Sequence, residues 1–254
     1  MPPQKQVINT DPKHPAIARE IARAVAHMRG LRAGPMAQAR RDWWVQYLTP
    51  VLALLPASAL ADLLPPNITD EEYEQRTAGT FCTDEHPARH RAPQTLILQT
   101  PSSLYTSKAS PSLAYDRFMA AVGQRDHWTA KDGDPNRAQI VWEDVAFPRW
   151  SWVETPDACP RTGTSWNDLT ALPGFRMPSL EEYTLSWHAT RHEHNRMFDV
   201  PTWCLLRTRF GPRASGALRA DGAAGRVCVR GWDAADLGSS SVGWGSRASD
   251  PVKP

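Results

Sequence analysis

The chain has 254 residues, a formal net charge of +2 and a hydrophobic content of 41%. This length allows one large domain or two small ones with a buried core, and the small net charge argues against a general nucleic-acid-binding protein. The 23 prolines and 11 tryptophans exclude a disordered chain, which would be poor in aromatic residues, and favour short regular elements joined by ordered connections.

The first predicted element is an amphipathic helix over residues 14–29. Ile17, Ile21 and Val25 recur at helical spacing along one face. Residues 1–45 carry a net charge of +5. Because a mitochondrial targeting segment is also Arg-rich, acid-poor and amphipathic, a mitochondrial location is expected. The alternative is an ordinary surface helix in a protein that is otherwise intracellular, since no secretory signal is present.

Residues 43–64 form the most apolar run, which is long enough to span a bilayer. Trp43 and Trp44 stand beside arginines at its start, as in an interfacial anchor. Pro50 and Pro56 interrupt the run, together with several polar side chains. The prediction is a buried or partner-facing pair of helices bent at the prolines. Peripheral or single-span membrane contact is the alternative.

The middle of the chain predicts short elements separated by prolines. A capping-box pattern, Thr69-x-x-Glu72, marks the start of an acidic helix. Runs of apolar residues indicate the elements that follow. The elements expected here are a helix at 70–77, a strand at 95–99, a helix at 112–123, a strand at 140–142 and an irregular Pro-rich stretch at 147–178.

A second capping box, Ser179-x-x-Glu182, predicts a helix that runs to about Met197. Beyond it, the runs 203–210 and 226–232 have the composition of strands. A Gly- and Ala-rich segment lies between them. The two runs are therefore expected to pair as a hairpin around that segment.

These elements define the expected architecture. It is an α+β fold, mainly α-helical, with extensive ordered irregular Pro-rich segments and a small β component. The expected parts are basic amphipathic and apolar helices at 1–65, an irregular α+β body at 66–237 and a C-terminal docking arm at 238–254. The arm has the Gly- and Ser-rich composition of a flexible tail, with Trp244 as its only large apolar side chain.

Histidine spacing offers the only candidates for a metal site. His188 and His192 are i, i+4 neighbours on the predicted helix, the spacing at which two imidazoles reach one ion. Cys82, His86 and His90 recur at similar spacing and would form a second half-site. Flanking arginines oppose an added cation, so the histidines are interpreted as surface or partner-facing side chains. No metal, cofactor or catalytic residue is assigned.

Sequence signatures of specific chemistry are otherwise absent. The chain contains no dinucleotide-binding, phosphate-loop, esterase or EF-hand motif. Its four cysteines are widely spaced without a C-x-x-C pair, so reduced thiols are expected, with two distant disulfides as the alternative.

The composition predicts a protein that binds several other proteins. Blocks of opposite charge suit docking against charged neighbours: residues 62–85 carry a net −6 and residues 186–232 a net +5. Tryptophan and arginine are enriched at protein interfaces. The tryptophans expected to contact partners are Trp43, Trp44, Trp150, Trp152 and Trp244.

The function expected from these features is that of a non-catalytic accessory subunit of a large assembly. The basic N-terminus and the apolar run favour an organellar respiratory-chain or ATP-synthase complex. One alternative is a metal-dependent enzyme centred on His188 and His192. Another is an RNA-contacting component of a ribosome or viral particle, since Trp and Arg stack on bases, although nucleic acid is the less expected partner.

Overall fold

Antiparallel β-sheet dominates the described part of the chain. The computed structural model describes residues 70–80, 92–99, 118, 139–143, 149–194, 196–222, 226–232, 237–238 and 243–251. These residues belong to the unit Pro65–Pro254. The helix predicted at 14–29, the apolar run 43–64 and most of the helix predicted at 112–123 lie outside the described residues; Phe118 is helical and buried.

The elements with defined bounds are three α-helices, a 3₁₀ turn and eight strands. In chain order they are α1 (Asp70–Ala78), β1 (Gln94–Gln99), β2 (Ile140–Val141), β3 (Arg149–Glu154), α2 (Trp166–Ala171), α3 (Leu180–His194), β4 (Trp203–Phe210), the 3₁₀ turn (Pro212–Ala214), β5 (Gly216–Asp221), β6 (Cys228–Trp232), β7 (Trp244–Gly245) and β8 (Ser249–Pro251). The predictions of a helix at 70–77 and of strands at 95–99 and 140–142 are confirmed within a residue or so.

The strands form two sheets that together make a curled half-barrel. The first sheet has the order β1-β3-β8, and both of its pairings are antiparallel. The second has the order β2-β4-β5-β6, with β7 added parallel to β4. Helix α3 contacts β1 and β3 of the first sheet and β4 and β5 of the second, so it lies between the two sheets.

The prediction of a mainly α-helical fold is wrong, because the described residues are rich in antiparallel strands and have only three short helices. The strands are hard to see in the sequence for a physical reason. Strand β5 is built from Gly, Ala, Arg and Asp beside a single Leu, a composition with low β-propensity.

The interpretation of 147–178 as irregular is corrected at two places. Strand β3 occupies Arg149–Glu154, and its central position in the first sheet satisfies its backbone groups on both sides. Helix α2 occupies Trp166–Ala171 and begins at Ser165, whose Oγ accepts a hydrogen bond from the Asp168 N–H at 3.1 Å. Neighbouring prolines concealed the strand, because they flank it without entering it.

The predicted hairpin is also wrong in its pairing. Strand β4 has the predicted bounds and β6 nearly so, but they are not neighbours. Strand β5, from the segment interpreted as a loop, lies between them and pairs antiparallel with both. This Ala-rich segment is therefore held as a strand by its backbone hydrogen bonds to β4 and β6, and not by the β-propensity of its side chains.

Helix α3 begins with the predicted capping box. The Ser179 N–H donates to Glu182 Oε2 at 2.9 Å, and the Glu182 N–H donates to Ser179 Oγ at 3.1 Å. The helix ends at His194, three residues before the predicted end. Residues 180–190 are all buried, although many are polar, because the helix is enclosed by sheets on more than one side. Its polar groups must therefore find partners inside the protein.

We expect Ser179→Ala to lower the free energy of unfolding by about 1–2 kcal/mol, because the variant leaves a buried N–H at the start of α3 without its acceptor. Urea denaturation of the full chain measures this loss. Thr170→Ala is the control, because the exposed Thr170 hydroxyl donates only to the Asn167 carbonyl of its own helix. Equal losses in the two variants would contradict a capping role for Ser179.

The C-terminal segment 243–251 contributes a strand to each sheet. Trp203 pairs with Trp244 where β7 runs along β4, and Trp152 pairs with Asp250 where β8 runs along β3. Between these strands the Ser246 hydroxyl donates to the Leu205 carbonyl at 2.8 Å. The segment predicted to be a docking arm thus pairs with both sheets of its own fold.

Among the described helices, none combines the length and the apolar character needed to cross a membrane.

Candidate functional site

The predicted metal-site residues are placed only in part. His188 is buried on α3, and its imidazole makes an edge-to-face contact with the Trp187 ring at 5.4 Å between centroids. For His192 only the helical backbone is described. Cys82, His86 and His90 lie outside the described residues. The structure therefore does not test the predicted interpretation of these histidines, and it places His188 in the interior.

The tryptophans predicted to contact partners have different environments. Trp152 is a core residue that packs with Leu96, and Trp150 is half-buried against the same pair. Trp244 is half-buried and packs against an apolar cluster formed by Leu169, Met177, Leu205, Ala217 and Leu237. Trp43 and Trp44 lie outside the described residues. A partner-binding role for these side chains remains a prediction.

Strands β4, β5, β6 and β7 bring arginine and tryptophan side chains together on the second sheet. The Arg219 guanidinium lies 4.8 Å from the Trp203 ring centroid and 4.6 Å from that of Trp244. The Arg230 guanidinium lies 5.1 Å from the Trp203 centroid. We call these four residues the Arg–Trp stack. Each distance is within the range of a cation–π interaction.

The register of the sheet creates this arrangement. Arg219 on β5 lies opposite Arg230 on β6, and parallel pairing sets Trp203 beside Trp244. Two neighbouring arginines would repel each other, but the electron-rich indole faces offset that repulsion. Trp203, Arg219 and Trp244 are half-buried and Arg230 is exposed. The stack is therefore a partly solvent-facing platform that is both cationic and aromatic.

Sequence reasoning missed most of this platform. The sequence singles out Trp244, and it gives the Trp and Arg residues of 203–232 only as a mixture that could stack on RNA bases. The missing information was the pairing of β5 with β6, since it sets the arginines opposite each other. Arg and Trp at alternate positions of neighbouring strands would have been the detectable signal, had β5 been recognised.

A second cluster joins three arginines and two glutamates beneath the N-terminus of α3. Arg207 donates to Glu182 Oε2 and to both carboxylate oxygens of Glu143. Arg176 donates to Glu182 Oε1 at 2.9 Å, and Arg149 donates to Glu143 Oε2 at 3.2 Å. We call these five residues the carboxylate–arginine network. Glu182 is fully buried, whereas Glu143 is about one-third exposed at 33%.

The network separates the pKa values of two adjacent glutamates. Burial alone would raise the pKa of Glu182, but the charges of Arg207 and Arg176 and a hydrogen bond from the Ser179 N–H hold it at about 2. Among the described residues, Glu181 accepts no hydrogen bond from an arginine, and Arg207 lowers its pKa only from a distance. Its burial and the negative charges of Glu143 and Glu182 raise its pKa to about 8. At neutral pH, Glu182 is thus ionised and Glu181 is mostly protonated.

A third cluster is buried between the sheets and consists of Cys159, Asp199 and Cys204. Their Sγ and carboxylate atoms all lie within 4.8 Å of one another. Cys159 precedes α2, Asp199 follows α3 and Cys204 lies on β4. We call these three residues the cysteine–aspartate cluster. Because they are about 40 and five residues apart in sequence, no short motif marks them.

The fully buried Arg247 guanidinium provides the counter-charge for Asp199. It donates to Asp199 Oδ1 and to the Glu154 carbonyl, and it stacks on the Phe198 ring at 4.2 Å. Burial raises the pKa of Asp199, and the neighbouring Arg247 charge opposes that rise. Burial likewise raises the pKa of the Cys159 thiol. The Asp199–Arg247 ion pair therefore lies beside a Cys159 thiol that burial keeps protonated.

Comparison of the chain with known protein families, with curated proteins and with solved structures finds no match in any of the three.

Proposed function

We propose that the chain is a non-catalytic accessory subunit that binds a protein partner through the Arg–Trp stack. The observation that carries the proposal is that the Arg219 guanidinium lies within 4.8 Å of two indole ring centroids on a partly exposed sheet surface. Tryptophan and arginine are the residues that most often dominate the binding energy of protein interfaces. Here they are also held rigid by strand pairing, which reduces the entropy cost of binding.

The chemistry of the stack favours an acidic partner surface. A guanidinium that stacks on an indole keeps its N–H donors in its own plane, where they can meet a carboxylate at the edge of the stack. Residues 186–232, which supply three of the four stack residues, carry a net charge of +5. A carboxylate-rich protein surface therefore complements the stack in both charge and shape.

The assembly itself is proposed from the N-terminal sequence alone. The basic amphipathic segment favours an organellar complex of the respiratory-chain or ATP-synthase kind. That segment lies outside the described residues, so the stack supports the accessory-subunit role and not this particular assembly.

We expect the full chain to bind a Glu-rich peptide more tightly than a Gln-rich peptide of the same length, with an affinity that falls as salt rises. Arg219→Gln should weaken binding about 10- to 30-fold, because the loss of one central charged contact costs about 1.5–2 kcal/mol. Fluorescence anisotropy of labelled peptides measures both effects. Arg213→Gln is the matched control, because Arg213 is an exposed arginine outside the stack.

Two outcomes would overturn the proposal. One is equal loss of peptide binding in the Arg219 and Arg213 variants, which would reveal a general charge effect. The other is tighter binding of single-stranded RNA than of the acidic peptide, abolished by Trp203→Ala, because stacked bases would then be the natural ligand. Blue-native electrophoresis of tagged chain from its own cells tests the assembly role: a band at the size of the 28.3 kDa chain alone would contradict it.

A further inference from the structure

The cysteine–aspartate cluster has the composition of a metal site that is independent of the Arg–Trp stack. Two thiols and one carboxylate place three ligand atoms within 4.8 Å of one another. Ligands bound to one tetrahedral zinc ion lie about 3.3–3.8 Å apart, given metal–ligand distances of about 2.0–2.3 Å. A small inward movement of these side chains would therefore bring all three to bonding distance.

The carboxylate of Asp199 has one oxygen available for an ion. Its Oδ1 atom accepts hydrogen bonds from Arg247 and from the Thr202 hydroxyl. Its Oδ2 atom is buried and accepts no close hydrogen bond among the described residues, although the Tyr183 hydroxyl lies near enough to lower the Asp199 pKa. An unsatisfied buried carboxylate oxygen is costly unless something positive approaches it.

Backbone hydrogen bonds on both sides fix the position of Asp199. Asp199 has a φ of 55°, in the left-handed region. Its N–H donates to the Asp157 carbonyl at 2.8 Å, and its carbonyl accepts from the Gly222 N–H at 3.1 Å. The Thr202 hydroxyl also accepts from the Cys159 N–H at 2.9 Å, so one side chain orients two of the three candidate ligands.

The charges balance when a divalent ion binds. Before binding, Arg247 and Asp199 form a neutral pair beside two neutral thiols. Binding releases one proton from each thiol, which gives two thiolates with charge −2 and leaves a divalent ion with charge +2. The buried cluster therefore remains neutral overall, and no uncompensated charge is created in the interior. Arg247 then stabilises the Asp199 oxygen that does not contact the ion.

We propose that Cys159, Cys204 and Asp199 bind a zinc ion that ties the loop before α2 and the loop after α3 to strand β4. Two sulfur ligands favour zinc over calcium or magnesium, which bind oxygen. The complete burial of the cluster favours a structural ion over a catalytic one, because substrate has no route to it among the described residues.

The test loads the reduced full chain with zinc or cobalt(II) and removes excess metal by dialysis. We expect about one ion per chain and a thiolate-to-cobalt charge-transfer band in the absorption spectrum. X-ray absorption at the zinc edge of the wild-type chain should report two sulfur neighbours, with oxygen or nitrogen filling the remaining positions. This readout does not depend on any variant folding correctly.

The variants distinguish this cluster from the other cysteines. Cys159→Ser and Cys204→Ser should each lower zinc affinity at least about 100-fold, whereas Cys228→Ser should leave it unchanged, because Cys228 is a buried free cysteine outside the cluster. Asp199→Asn should weaken binding and lose the ion at lower chelator concentration. Zinc should also raise the thermal midpoint of wild-type chain and not that of Cys204→Ser.

Three outcomes would overturn the proposal. The first is an absence of stoichiometric zinc or cobalt binding by reduced chain. The second is zinc that survives Cys159→Ser but is lost on Cys82→Ser, which would move the site to the Cys82, His86 and His90 segment. The third is a Cys159–Cys204 disulfide found by mass spectrometry in chain purified from its own cells, because the pair would then serve as a cross-link instead of as ligands.

Discussion

Arg207→Gln is expected to lower the free energy of unfolding by about 3–5 kcal/mol, a large share of the stability of an ordinary domain. The variant removes the guanidinium that contacts both Glu143 and Glu182. Glu182 is fully buried and would keep Arg176 as its main counter-charge. Leaving a buried charge underpaired is costly, because Arg176 and the more distant Arg149, at 3.9 Å, replace only part of the lost contacts.

Thermal and urea unfolding of the purified chain measure this effect, with two companion variants to interpret it. Arg196→Gln is the matched control: Arg196 pairs with Asp157, which is 80% exposed, and exposed ion pairs contribute at most about 1 kcal/mol. Adding Glu182→Gln to Arg207→Gln should restore part of the lost stability, because it removes the charge that Arg207 left unpaired. An unchanged or lower stability in the double variant would show that packing, not charge, explains the loss.

Glu181→Gln should change how stability depends on pH, with the largest effect at about pH 8. Glu181 has a folded pKa of about 8 against 4.5 for an ordinary glutamate. Above pH 4.5 the unfolded chain loses this proton while the folded chain keeps it, so wild-type stability falls as pH rises from 4.5 to 8. The fall is on the order of 3–5 kcal/mol, and the variant should not show it because glutamine does not ionise.

Glu182 has the opposite dependence. Its folded pKa of about 2 lies below the ordinary value of 4.5. The stability that it contributes is therefore fully present above pH 4.5 and is lost as pH falls towards 2. Wild-type chain should be most stable near pH 5. Urea titrations from pH 3 to 9 test both slopes, with the exposed Glu74→Gln as control; a wild-type curve that is flat between pH 5 and 8 would contradict the buried, protonated state of Glu181.

The sequence predicted those elements whose signals are local. The Ser179 and Glu182 capping box gave the start of α3 because both side chains act within one helical turn. Strand β4 was also found, since its eight residues are mostly apolar or aromatic. By contrast, β5 depends on two neighbouring strands for its hydrogen bonds. Its Ala-rich sequence carries little preference of its own, so the mainly helical prediction missed it.

The candidate sites were less accessible because their residues come together only through the fold. Cys159, Asp199 and Cys204 meet through two loops and a strand, with no spacing rule that joins them. Arg247 lies in a Gly- and Ser-rich stretch whose composition indicates a solvated tail, yet its side chain is fully buried. A buried arginine can be recognised only when its carboxylate partner is known, and here that partner is 48 residues away.

The late position of β7 and β8 in the chain affects how the protein must assemble. Ser151 pairs with Pro251, so the first sheet joins residues one hundred positions apart, and β4 acquires β7 from an equally late segment. Such distant pairings form slowly, because the long intervening chain must lose conformational entropy before the stabilising strand contacts can form. As synthesis proceeds, one side of β3 stays unpaired until residue 251 has emerged. During that interval β3, which carries the buried Trp152, has one edge of unpaired backbone N–H and C=O groups. The nascent protein is then most prone to aggregate through that edge.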